Sequence, residues 1–174
     1  MTEPTTPASD AGADIPTPPT TLTLAGVREG MIDMAPVALL VIPFGLGFGV
    51  AASQKGLDWW LSTLMSAVTC AGASQFAALD LWAAPLPVLP ILVTVLVVNA
   101  RHLLYGAAIY TWLKDLTPGQ RFPILAVMTD SNWAYAMSKR GKGAGDAGLL
   151  LGSGLALWIV WTASTAAGAT LGAG

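Results

Sequence analysis

The chain has 174 residues, 54% of them hydrophobic and only 10% charged, with a mean hydropathy of +0.63 and a net charge of −2. An average soluble domain is about 25% charged, so this composition cannot cover a water-facing surface and excludes a soluble enzyme. The acidic balance, with no basic patch interleaved with aromatics, excludes nucleic acid as a partner.

Met1 to Leu24 is rich in Thr, Pro and Ala and carries three acids (Glu3, Asp10, Asp14) but no Lys or Arg. It reads as a disordered aqueous tail, without the basic start and apolar core of a signal peptide. From residue 25 to 174 the chain reads as one transmembrane helical domain. Met34 to Ala52, Trp59 to Leu79, Leu81 to Val98 and Ala147 to Gly174 are free of charge, and a bilayer-crossing helix needs roughly 20 largely apolar residues. The fold class expected is therefore an all-α polytopic membrane protein with about five transmembrane helices, some broken in mid-membrane.

The first span runs from about Ile32 to Ser53. Pro36 and Pro43, followed by Gly45, Gly47 and Gly49, predict a break near Pro43. The second, roughly Asp58 to Leu81, contains Gly72, Ser74 and Gln75 and suggests a second break or a tight helix crossing. The third, Leu86 to Leu113, is about 42 Å long if helical and carries Asn99, Arg101 and His102 near its middle. It fits one tilted helix or two half-helices. Phe122 to Ser138 makes a shorter fourth span with Asp130 and Asn132, and Ala147 to Leu171 a fifth, whose glycines suit helix packing. With the N-terminus inside, the inner side receives four cations and the outer side three, a slight lean to a cytoplasmic N-terminus.

Ionisable groups inside a membrane are expensive, about +2.5 to +3.5 kcal/mol for Arg or Asp at a helix centre. Arg101, His102 and Asp130 therefore need a reason. They could form a polar centre handling substrate or protons, or Arg101 and Asp130 could be a structural pair, or Arg101 could snorkel to the headgroups. His102 is the sole histidine and has no companion at metal-ligand spacing, so no metal and no cofactor is expected. The lone Cys70 reads as a buried packing thiol. No HExxH, GxSxG, Walker or CxxC motif is present, and an enzyme is not expected.

The stretches Pro43-Phe44-Gly45-Leu46-Gly47-Phe48-Gly49, Ala71-Gly72-Ala73-Ser74-Gln75-Phe76 and Asn99-Ala100-Arg101-His102-Leu103-Leu104-Tyr105, in this order, resemble the AzlC family. The resemblance runs from about Gly26 to Gly174. It implies the large subunit of an exporter of branched-chain or similar small apolar amino acids, in the cell membrane, with a small AzlD-type membrane protein as partner. The fourth span departs from the family's Thr-Asp-Glu, reading Thr129-Asp130-Ser131-Asn132, and family members usually extend further. For the implied zwitterionic substrate, backbone groups near Gly72, Ser74 and Gln75, or alternatively Arg101, would meet the carboxylate. Asn99 and Asp130 would accept the ammonium, His102 would lie in the same polar centre, and Phe44 and Phe76 would line the aliphatic pocket. The alternative is a non-transporting subunit whose polar centre only holds helices together.

Overall fold

The computed structural model describes residues 19–174, and eight helices occur among them. These are α1 (Leu24–Gln54), α2 (Trp59–Thr69), α3 (Gly72–Asp80), α4 (Val88–Asn99), α5 (Arg101–Leu113), α6 (Pro118–Ala126), α7 (Asp130–Gly141) and α8 (Gly148–Gly172). Only Ala100 separates α4 from α5, and its backbone is itself helical (φ −55°, ψ −27°). Together they make one rod. Three elements are long and apolar enough to cross a membrane: α1, the α4–α5 rod and α8.

The α1–α8 pair is the frame. The two helices run parallel, since Gly30 meets Leu149 and Ser153 near their starts while Gly49 meets Thr165 and Ala169 near their ends. A Cβ on Gly152 would collide with the Val27 carbonyl, and one on Gly168 with that of Leu46. Small residues let the two backbones approach this closely. The expected break near Pro43 is absent: α1 is one 31-residue helix through Pro36 and Pro43. Each proline removes one helical hydrogen bond, but the seam with α8 extends past both and keeps the helix in one piece.

The second apolar stretch enters and returns. Asp58 caps α2 by accepting from the Leu61 amide at 2.8 Å. The helix stops at Cys70, whose left-handed backbone (φ 44°, ψ 33°) turns the chain. α3 then runs back beside α2, so that Gln75 donates to Ser66 at 2.9 Å. Leu57 and Leu79 meet in one core cluster with Phe48 and Ala52. Gln54 and Lys55, where α1 ends, line a cleft together with Trp82, Ala83, Ala84 and Leu86. The 11 residues of α2 reach about 16 Å, roughly half of a 30 Å hydrocarbon core.

The fourth stretch, expected as one short span, is also a hairpin, entering from the opposite face. Thr117 and Gln120 form a capping box that starts α6 with Pro118 in its first turn. The chain breaks at Val127 and Met128. A second box restarts it: Asn132 accepts from the Thr129 amide at 2.6 Å and from its hydroxyl at 3.0 Å. α7 returns to the face where α1 begins, where Lys139 pairs with Asp33 (2.7 Å) and Glu29 (2.9 Å). The five apolar stretches are thus present, three as full-length elements and two as half-depth hairpins pointing at each other.

Residues 1–18 of the expected tail lie outside the described residues. Its last residues are tied down. Thr20 donates to the Trp112 carbonyl (2.6 Å), Thr21 exchanges backbone bonds with Gly145 and Ala147, and Thr23 hydrogen-bonds Asp146. They fasten the starts of α1 and α8 to the end of α5.

In a Cys70→Ser background, cysteines at Lys55 and Ala83 should react with an impermeant maleimide from one side of the membrane, and cysteines at Lys114 and Lys142 from the other. Five full crossings would put the members of each pair on opposite sides. Gly152→Val should cost about 1–3 kcal/mol in detergent melts, whereas Gly47→Ala, whose Cβ meets nothing within 4 Å, should not lower the midpoint.

Candidate functional site

The hairpin tips meet beside α5. A cavity of about 190 Å³ is lined by Cys70, Ala71, Gly72 and Ala73 of the first tip, Thr129, Asp130 and Ser131 of the second, and Arg101 and His102. Both returning half-helices, α3 and α7, start here. The first-turn amides of a helix have no carbonyl one turn earlier to pair with, and Ala71 gives α3 no side-chain cap. Each helix N-terminus carries a partial positive charge of about half an electron. Two such ends and Arg101 make the cavity attractive to an anionic group, with Asp130 its one lining carboxylate.

Arg101 Nη1 and Asp130 Oδ2 form an ion pair at 2.6 Å, with both side chains partly exposed to the cavity. The Arg101 Nε and Asp130 Oδ1 atoms are buried and make no hydrogen bond. His102 Nδ1 lies 3.1 Å from the Asn99 carbonyl, one turn back on the rod. Its ring meets Tyr105 edge-on, and Tyr105 stacks on Trp133 of α7 with centroids 4.7 Å apart. The α5–α7 contact thus has a charged end at the cavity and an aromatic end beyond it.

Of the residues singled out from the sequence, Gly72, Arg101, His102 and Asp130 line this cavity. Asn99 does not; its Oδ1 is buried without a partner next to the site. Ser74 and Gln75 are fully buried and engaged elsewhere. Ser74 donates to the Ala71 carbonyl, while Gln75 links Ser66 of α2 to the Trp161 indole of α8, which donates to Oε1 at 2.9 Å. Ser66 continues the chain to Thr165 at 3.0 Å. This network pins the first hairpin to α8, so Gln75 acts as a support for the tip.

Phe44 and Phe76 do not line the polar cavity but an adjoining groove with Val41, Gly72, Ala73 and Trp161, which shares Gly72 and Ala73 with that cavity, and Phe44 is largely exposed. The apolar space adjoining the polar cavity, about 160 Å³, is formed by Val41, Leu157 and Trp161, and it shares Cys70, Gly72, Thr129 and Ser131 with that cavity. Sequence reasoning passed over these residues. Val41, Leu157 and Trp161 look like any apolar helix positions. The start signal Thr129-x-x-Asn132 could have disclosed the second tip, being a capping pattern inside an apolar run.

The family described as AzlC protein matches residues 36–174. The chain belongs to the AzlC family. Its relatives include the inner membrane protein YgaZ of Escherichia coli, 28% identical over 162 residues, covering 91% of this chain and 66% of the relative. An uncharacterized membrane protein of Archaeoglobus fulgidus is 30% identical over 145 residues, covering 83% and 62%. An uncharacterized membrane protein of Helicobacter pylori is 33% identical over 91 residues, covering 52% and 39%. The chain therefore spans just under two-thirds of the length of the first two. No solved structure matches. The match begins at Pro36, inside α1, and runs through both hairpins and α8.

In this AzlC protein, Gln75→Ala should cost about 1–3 kcal/mol, because it strands the buried Trp161 N–H and leaves Ser66 bonded to Thr165 alone. Adding Trp161→Phe should recover part of that loss in a double-mutant cycle of detergent melting. Full additivity of the two losses would mean that the Gln75–Trp161 bond does not hold the tip.

Proposed function

We propose that this AzlC protein is the larger membrane subunit of a gradient-driven exporter of branched-chain or similar small apolar amino acids, acting with a small AzlD-type membrane partner. The observation that carries the reading is the meeting of two oppositely entering half-helices at a mid-depth cavity holding Arg101, His102 and Asp130. Broken helices whose N-termini face a midplane site suit the binding of a substrate carboxylate and access from both sides. Non-helical backbone at membrane depth survives where protein or a water-lined cavity satisfies it. No nucleotide-binding motif is present in the chain, in keeping with an ion or substrate gradient as the driving force.

The hairpin topology also strengthens the orientation. Of the eight Lys and Arg residues, Arg28, Lys114, Arg121, Lys139, Arg140 and Lys142 fall on the face where α1 begins, Lys55 falls on the other, and Arg101 lies between. Six against one favours a cytoplasmic N-terminus by the positive-inside rule, in the plasma or inner membrane. The direct Arg101–Asp130 contact favours one competing reading, in which the pair only fastens α5 to α7 in a non-transporting subunit.

Cells preloaded with leucine or valine and making this chain with an AzlD-type partner should release the amino acid above background, with release requiring both proteins. Arg101→Ala should reduce that release at least about tenfold at equal membrane abundance, as loss of a charged contact in a site does. A fall in abundance with unchanged export per molecule would identify the pair as structural.

A further inference from the structure

We propose that the Arg101–Asp130 ion pair is a lock opened by an α-amino-acid zwitterion, and that Val41, Leu157 and Trp161 measure the length of the ligand's side chain. The inference uses the cavity of the exporter reading, but binding is measured without transport, so the two fail separately.

Arginine and carboxylate commonly join through two parallel hydrogen bonds, yet here a single Nη1–Oδ2 contact closes the gap. Arg101 Nε remains a spare donor and Asp130 Oδ1 a spare acceptor, both buried. A ligand carboxylate supplies the acceptor that Nε lacks, and a ligand ammonium supplies the donor that Oδ1 lacks. A ligand carrying both on one carbon can replace the pair with two satisfied contacts. A plain carboxylate would leave Asp130 facing it without a counter-charge. A plain amine would face Arg101 and the positive ends of α3 and α7.

The space beside the pair fits the same ligand. The polar cavity opens onto the pocket of Val41, Leu157 and Trp161 across shared walls that include Gly72. A Cβ on Gly72 would stand 2.8 Å from the Trp161 ring, so glycine keeps the passage open. The Trp161 indole is held in place by Gln75, which gives the pocket a fixed floor. A charged head and a short aliphatic chain match the two compartments in order. A rigid apolar pocket discriminates a missing or extra methylene by roughly 10–200-fold.

The test is competition for labelled L-leucine on the purified full chain in detergent. L-valine should displace it. The matched analogues 4-methyl-2-oxopentanoate, without the amino group, and 3-methylbutylamine, without the carboxylate, should compete at least about tenfold less well. Leu157→Phe should lower the leucine-to-alanine affinity ratio at least about tenfold, and Leu157→Ala should move preference toward bulkier side chains. Each variant is checked for an unchanged elution profile. Equal competition by the keto acid, unchanged ratios in both Leu157 variants, or no saturable leucine binding to the well-behaved chain overturns the proposal. Selective binding without efflux leaves it standing and removes the exporter reading. Efflux that accepts the keto acid as readily as leucine does the reverse.

Discussion

Backbone groups left unpaired inside a bilayer cost several kcal/mol each, and both hairpin tips interrupt helical hydrogen bonding at half depth. α8 is the element that makes this tolerable. Its Trp158 donates to the Ala67 carbonyl just before the first tip at 2.8 Å, and Trp161 and Thr165 hold Gln75 and Ser66. Lower down, its Leu150 carbonyl accepts from Asn132 at 3.1 Å, and Gly154 leaves room for Val127 at the second tip. One helix thus carries both interruptions, and its glycine-lined seam with α1 fixes its position.

The site follows from that arrangement. Because the hairpins enter from opposite faces, the half-helices that begin at their tips aim their positive ends into one space. Span plus hairpin occurs twice, α1 with α2–α3 and the α4–α5 rod with α6–α7, in opposite directions. The rod adds Arg101 to the same space, and Asp130 answers it from the first residue of α7. A carboxylate at a helix N-terminus is stabilised by the dipole it faces, so Asp130 is compatible with both its helix and its partner. The polar cavity is thus a consequence of where helices begin.

Re-entry also governs how charge is distributed. If both hairpins crossed, the cations would be divided nearly evenly between the faces. Because they return, six cations collect where α1 begins. The same face holds the Lys139 pairs with Asp33 and Glu29, and the Arg140 guanidinium lies 5.3 Å from the centre of the Trp112 ring. The α4 half of the rod has no buried residue. Its apolar side chains suit a lipid environment, where exposure carries no hydrophobic cost.

The sequence by itself determined the membrane class, the positions of the apolar stretches and the expense of Arg101, His102 and Asp130, because composition and charge-free length are local quantities. Small residues in mid-stretch near Gly72 narrowed that place to a break or a tight helix crossing without choosing between them. Whether a stretch crosses or turns back was decided by tertiary structure. Hydropathy records how much apolar chain is present and is blind to its direction, so Asp58 to Leu81 reads alike as a crossing or as a hairpin. The fate of single side chains was likewise a tertiary matter. Gln75 became a support because Trp161 and Ser66 face it, and Pro43 failed to break α1 because α8 packs along it. Those outcomes depend on α8, whose Trp161 stands 86 residues from Gln75 along the chain, a separation no local pattern contains.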